Sequence, residues 1–106
     1  VTIYTKVIIE VNNLQNNDLI GKVVLSKAGR DKNNLYVIVR QMNEDYVLLA
    51  NGNTKSINMP KKKKLKHLSI LEDTDDEIIS SIKSCDKGTD LKIKRFLKLK
   101  GIVKEG

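Results

Sequence analysis

Between residues 21 and 72, apolar positions come in short β-branched runs separated by Gly, Asn and Asp. Lys22-Val23-Val24-Leu25-Ser26 follows Gly21 and reads as a strand. Ala28 to Asn34 is a polar loop, in which Gly29 and the two Asn residues tolerate positive φ. Leu35-Tyr36-Val37-Ile38-Val39 is the strongest strand signal in the chain. Asn43-Glu44-Asp45 is a turn, and Tyr46 to Ala50 is the next strand. Asn51-Gly52 is the favoured two-residue hairpin turn, which makes Thr54-Lys55-Ser56-Ile57 the returning strand. After Pro60 and a lysine run, Leu68-Ser69-Ile70 closes the set. Five strands this short are too few for a sandwich and suit a small closed barrel, which removes exposed edges at low cost in residues.

The period changes after residue 72. Asp73 or Thr74 can cap a helix with Asp75, Asp76 and Glu77 in its first turn. Ile78, Ile79 and Ile82 share one face, and Gly88 ends the segment. Leu91 to Lys100 has two readings. Capped by Asp90 and followed by Gly101, it forms a helix with Ile93, Phe96 and Leu97 on one face; this reading is favoured. The alternation in Leu91–Lys94 and Leu97–Lys100 also suits strands. The expected organisation is an N-terminal extension (1–18), a barrel (19–71) and a helical appendage (72–106), a mainly β protein with one or two short C-terminal helices.

Composition adds constraints. With 106 residues and 40% apolar content, the chain supports one domain with a modest core. Its only cysteine, Cys85, excludes an intramolecular disulfide and is expected to be buried or inert. No apolar run approaches the ~18 residues of a membrane span, and no signal-peptide pattern is present, so a cytoplasmic protein without membrane association is expected. The net charge of +7 favours a polyanionic partner. Most of it lies in residues 21–72, at a net +7, while residues 73–90 carry −4 and residues 91–106 carry +5.

Two clusters concentrate the positive charge. Lys27, Arg30, Lys32 and Asn33 crowd one loop that can offer backbone N–H groups and a guanidinium to phosphate. Lys61, Lys62, Lys63, Lys64 and Lys66 place five like charges in six positions, which a polyanion would neutralise with release of counterions. The plain alternative for both is solvated surface charge. Tyr36 and Tyr46 can stack on bases, although strand tyrosines more often belong to the core or rim. His67 lacks a second ligand or orienting partner for metal or catalytic work. The acidic run from Asp73 to Glu77 is explained by a helix start before a metal site is needed. No catalytic residue, metal or cofactor is expected. Adjacent −4 and +7 segments also allow the acidic segment to fold over the lysine run and mask it.

The ordered set Ile20-Gly21-Lys22-Val23-Val24, Ser26 to Asn33, Tyr36-Val37-Ile38-Val39, Asn51-Gly52 and Pro60 to Leu68 resembles the KOW family of RNA-binding barrels. The branch most similar contains the archaeal and eukaryotic large-subunit ribosomal protein fourteen and bacterial stand-alone KOW proteins. The resemblance spans about half the chain. It implies an SH3-like five-stranded barrel that binds structured RNA, often ribosomal RNA, with ribosomal proteins as further partners. Gly29 matches the family's loop glycine, while Asn33-Asn34 stands where a second glycine is usual. The competing class is a protein-interaction module with an incidental basic surface. Oligomeric state is not encoded in any pattern. The chain begins with Val rather than Met, which leaves two readings of residues 1–10: an upstream extension of a true start at Val11, or a strand around Val7-Ile8-Ile9.

Overall fold

The computed structural model describes residues 19–105. The N-terminal extension, the strand at Val7-Ile8-Ile9 and the start at Val11 lie outside the described residues. The strands are β1 (Lys22–Ser26), β2 (Leu35–Gln41), β3 (Tyr46–Ala50), β4 (Lys61–Lys64) and β5 (Leu68–Asp73). Two helices follow, α1 (Asp76–Ser84) and α2 (Thr89–Glu105).

All strands belong to one antiparallel sheet of order β4-β3-β2-β1-β5. The expected closed, SH3-like barrel is not formed. Among the described residues β4 pairs only with β3 and β5 only with β1, so the sheet keeps two open edges. The single 3-10 turn Leu65–His67 links strands on opposite edges. The four peptide units from Lys64 to Leu68 span at most about 14 Å, so the sheet must curl strongly. Register shifts at Val23/Val24 and Ile38/Arg40 supply part of that curl. The edges approach at this corner without forming a ladder.

Closure is unnecessary because both faces are covered by other means. Val23, Val37, Val39 and Ala50 point to one face and pack with Ile78, Ile82, Ile93 and Leu97 of the helices. Val24, Tyr36, Ile38, Val47 and Leu49 point to the other face and pack with Leu68 inside the curl. Burial on both faces explains why β2 is apolar almost throughout rather than alternating. The edge problem is met on β4 by composition: its four residues are lysines, and charged side chains on an edge discourage pairing with another chain.

The returning strand is therefore displaced from residues 54–57 to the lysine run. Asn51 Oδ1 accepts from the backbone N–H of Asn53 and Lys55, which holds a compact loop instead of a hairpin. Only an isolated bridge, Ser56 with Met59, remains there.

The N-cap of α1 is Asp75, whose side chain accepts from Ile78 N at 2.9 Å, rather than Asp73 or Thr74. Thr74 Oγ1 instead donates to Gly21 O at 2.7 Å and ties the helix start to β1. Cys85 ends α1 in a left-handed conformation, three residues before the expected Gly88, and is exposed rather than buried. The C-terminal segment is helical, and α2 runs 17 residues through Gly101. One interior glycine costs only about 1 kcal/mol, too little to stop a helix packed through Ile93 and Leu97. Replacing Asp75 with Ala should cost about 1 kcal/mol, measurable as a lower urea midpoint. An unchanged midpoint would show that the cap contributes nothing.

Candidate nucleic-acid interface

The loop Lys27–Asn33 is the tight connection between β1 and β2. Asn33 N donates to Ser26 O at 2.7 Å, and Ser26 N donates to Asn34 O at 3.0 Å. Gly29 and Asn33 take φ values of 87° and 75°, the left-handed conformation such a loop requires. Lys27 N donates to His67 O at 2.8 Å, which places the loop beside the turn that follows β4.

Strand alternation divides the lysine run. Lys64 and Lys62 stand opposite Tyr46 and Leu48 in register, while Lys63 and Lys61 stand opposite Val47 and Leu49. Lys61 and Lys63 thus share the face of the inner core and meet the loop there. Both contact Asp31: Lys63 Nζ lies 2.8 Å from Oδ1 and Lys61 Nζ 3.2 Å from Oδ2. Ser26 Oγ donates to the same carboxylate at 3.0 Å, with Tyr36 Oη at 3.4 Å. Lys63 Nζ also donates to Ala28 O at 2.8 Å. The side chains of Asp31 and Lys63 are only 8% and 10% exposed, so this is a nearly buried ion pair. Burial pushes the Asp31 carboxyl upward, but hydrogen bonds from Lys63, Ser26 and Lys61 outweigh it and hold the group well below the usual carboxylate range.

Asp31 therefore joins two clusters that are about thirty residues apart in sequence. Lys61 and Lys63 are used internally by that junction. Lys27, Arg30, Lys32 and Asn33 are exposed on the loop, and Lys62 and Lys66 are exposed on and just after β4, with Lys64 half-buried. Lys62 and Lys64 flank the Tyr46 ring, with Nζ 4.6 and 5.8 Å from its centroid. Tyr36 is 3% exposed and unavailable for stacking. Burial and the neighbouring Asp31 raise its phenol above the ordinary value.

The acidic segment does not mask this surface. Among the described residues its ion pairs run from Asp73 to Lys22, from Glu77 and Asp86 to Lys92, and from the adjoining Glu72 to Lys100. Asp90 does not cap α2 at the expected point; its Oδ1 accepts from Ile57 N at 2.8 Å and ties the loop after β3 to the helix. Nothing in the sequence reading singled out Asp31. The available signal was a lone carboxylate amid Lys27, Arg30 and Lys32. No helix among the described residues is long and apolar enough to cross a membrane. No protein-family model matches the chain, and no curated protein sequence matches it.

Proposed function

We propose that this protein is a non-catalytic RNA-binding protein that contacts phosphates through the Lys27–Asn33 loop and the adjoining strand β4. The observation that carries the reading is the Asp31 junction. It gathers two basic segments into one surface and leaves Lys27, Arg30, Lys32, Lys62 and Lys66 exposed. Cations fixed at spaced positions on a folded surface suit the phosphates of a structured RNA, where phosphate contacts set position. The resemblance of residues 19–67 to the KOW family favours ribosomal RNA as the target and association with the ribosome or translation, with ribosomal proteins as secondary partners.

The test is filter binding of a structured RNA across a salt series, with wild type and with Lys62, Lys64 and Lys66 together replaced by Gln. Wild-type affinity should fall steeply with salt. The triple variant should bind about tenfold more weakly and show a salt slope reduced by about 2. A salt-insensitive interaction, or equal slopes for the two proteins, would reject phosphate binding at this surface. Those lysines would then be edge guards on a protein-interaction module.

A further inference from the structure

The two strand tyrosines differ in a way that points to a specific kind of RNA ligand. Tyr36 is sealed in the core with its hydroxyl on Asp31. Tyr46, at the start of β3, is only half-buried, and its ring lies beside Lys62 and Lys64. Lys64 is also part of an open cleft of about 480 Å³, lined by Glu44, Asp45, Lys64, Leu65 and Lys66. The cleft is held by Leu65 N donating to Asp45 O at 2.7 Å; Asp45 and Leu65 are the next residues along from the Tyr46–Lys64 register pair, and Lys64 both lines the cleft and lies beside the Tyr46 ring, which is not itself part of the lining. Its size falls within the roughly 300–1,000 Å³ of small-molecule sites.

We propose that Tyr46 and this cleft together hold one unpaired nucleotide of the bound RNA. The base stacks on the Tyr46 ring, and the flanking phosphates meet Lys62, Lys64 and Lys66. Glu44 and Asp45 accept from N–H groups on the base edge. The proposal rests on the RNA reading and narrows it: the ligand is a loop, bulge or end rather than a continuous duplex. Three features carry it. Along its length a duplex buries its base faces by stacking and offers none to an aromatic ring. Carboxylates in the lining repel a phosphate backbone laid across them, but they match the amino and imino groups of an exposed base. An exposed lysine over a tyrosine ring is a weak contact, so a base can replace Lys62 there while the ammonium turns to a phosphate.

The test compares a fluorescently labelled RNA hairpin with an unpaired loop against a blunt duplex of the same stem, by anisotropy, for wild type, Tyr46→Leu and Tyr46→Phe. Wild type should prefer the hairpin. Tyr46→Leu should lose about tenfold on the hairpin and keep its duplex affinity, while Tyr46→Phe should bind as wild type. The duplex arm reports any loss of fold, because misfolding would weaken both RNAs. Equal hairpin binding by wild type and Tyr46→Leu, or parallel losses on both RNAs by a Tyr46→Leu protein that melts at the wild-type temperature, would overturn the nucleotide site. If wild type binds both RNAs with a steep salt dependence but Tyr46 has no effect, only this inference fails. If wild type binds neither, the RNA reading fails with it.

Discussion

Replacing Asp31 with Asn should destabilise the folded protein by about 3 kcal/mol. The carboxylate takes four donors, from Lys63, Lys61, Ser26 and Tyr36. Asparagine is neutral, so the Lys63 ammonium stays nearly buried with no counter-charge, and its acceptors are the Ala28 carbonyl and a single neutral amide oxygen that Lys61, Ser26 and Tyr36 must share. The cost is mostly that of an uncompensated charge, not the net worth of the pair. Adding Lys63→Met should therefore recover part of the loss, because the stranded charge is then gone. Urea denaturation at neutral pH reads both effects as shifts in midpoint at constant slope. A loss below about 1 kcal/mol would show that the pair is solvated, as surface pairs are. The same variant also tests how the basic surface is assembled. Asp31→Asn raises the net positive charge by one, so simple electrostatics predicts tighter RNA binding. If Asp31 is what holds the loop against β4, binding weakens instead.

Acid should remove this stabilisation in a defined window. The unfolded carboxyl titrates near its ordinary value of about 3.9, and the folded one well below that. A depressed folded pKa gives stability that is fully present above the unfolded value and lost as pH falls toward the folded value. The difference between wild type and Asp31→Asn should be constant from about pH 5 to pH 7 and shrink below about pH 4. Tyr36 behaves in the opposite sense. Its phenol is raised above 10.0, first by burial and then by Asp31, so its contribution is present at neutral pH and is lost as pH rises past that value.

Strand β5 was legible from its apolar pattern at Leu68 and Ile70, although only Leu68 is buried; β1, β2 and β3 were legible because local pattern and burial agree. Each carries Val, Ile or Leu on a face that packs. Strand β4 was not legible, because a run of lysines has neither the propensity nor the apolar alternation of a strand. It is one because β3 offers a free edge, and because long aliphatic stems can lie along a sheet while their charges reach out. Barrel closure was inferred from strand number and length. These do not reveal that α1 and α2 cover one face, nor that lysine composition already guards an edge. The candidate site was partly legible. Charge density marked Lys27 to Lys32 and Lys61 to Lys66. Composition could not show that Lys61 and Lys63 turn inward, since that depends on a register fixed by Val47 and Leu49. Asn51-Gly52 misled for a related reason: the Asn51 side chain closes a local loop on Asn53 and Lys55, and Gly52 and Ile57 of that loop contact a helix about forty residues away.

That helix gives Gly52 the second large expected effect. Gly52 has a φ of 76°, and a Cβ built there would collide with the backbone oxygen of Asp90 and come within 2.8 Å of Lys94 N. Neither neighbour is a flexible side-chain end; both are main-chain atoms of α2. The helix cannot yield by a rotamer change. It must shift as a body, and Ile93 and Leu97 anchor it in the core. Left-handed strain on alanine costs about 1–2 kcal/mol and overpacking about 1–3 kcal/mol, so Gly52→Ala should destabilise by about 3 kcal/mol. For a domain of this size that is a fall in Tm of about 12 °C or more. Gly88→Ala is the matched control. A Cβ at Gly88 meets nothing within 4 Å, so only the small cost of alanine at the N-cap of α2 applies and its Tm should fall far less. Calorimetry of the two variants decides the point, and equal Tm values would mean that the loop is not pressed against α2. Because Gly52 contacts α2 rather than the Asp31 junction, folded Gly52→Ala should keep the wild-type salt slope for RNA. Asp31→Asn should not, so the pair separates loss of the fold from loss of the surface that the fold presents.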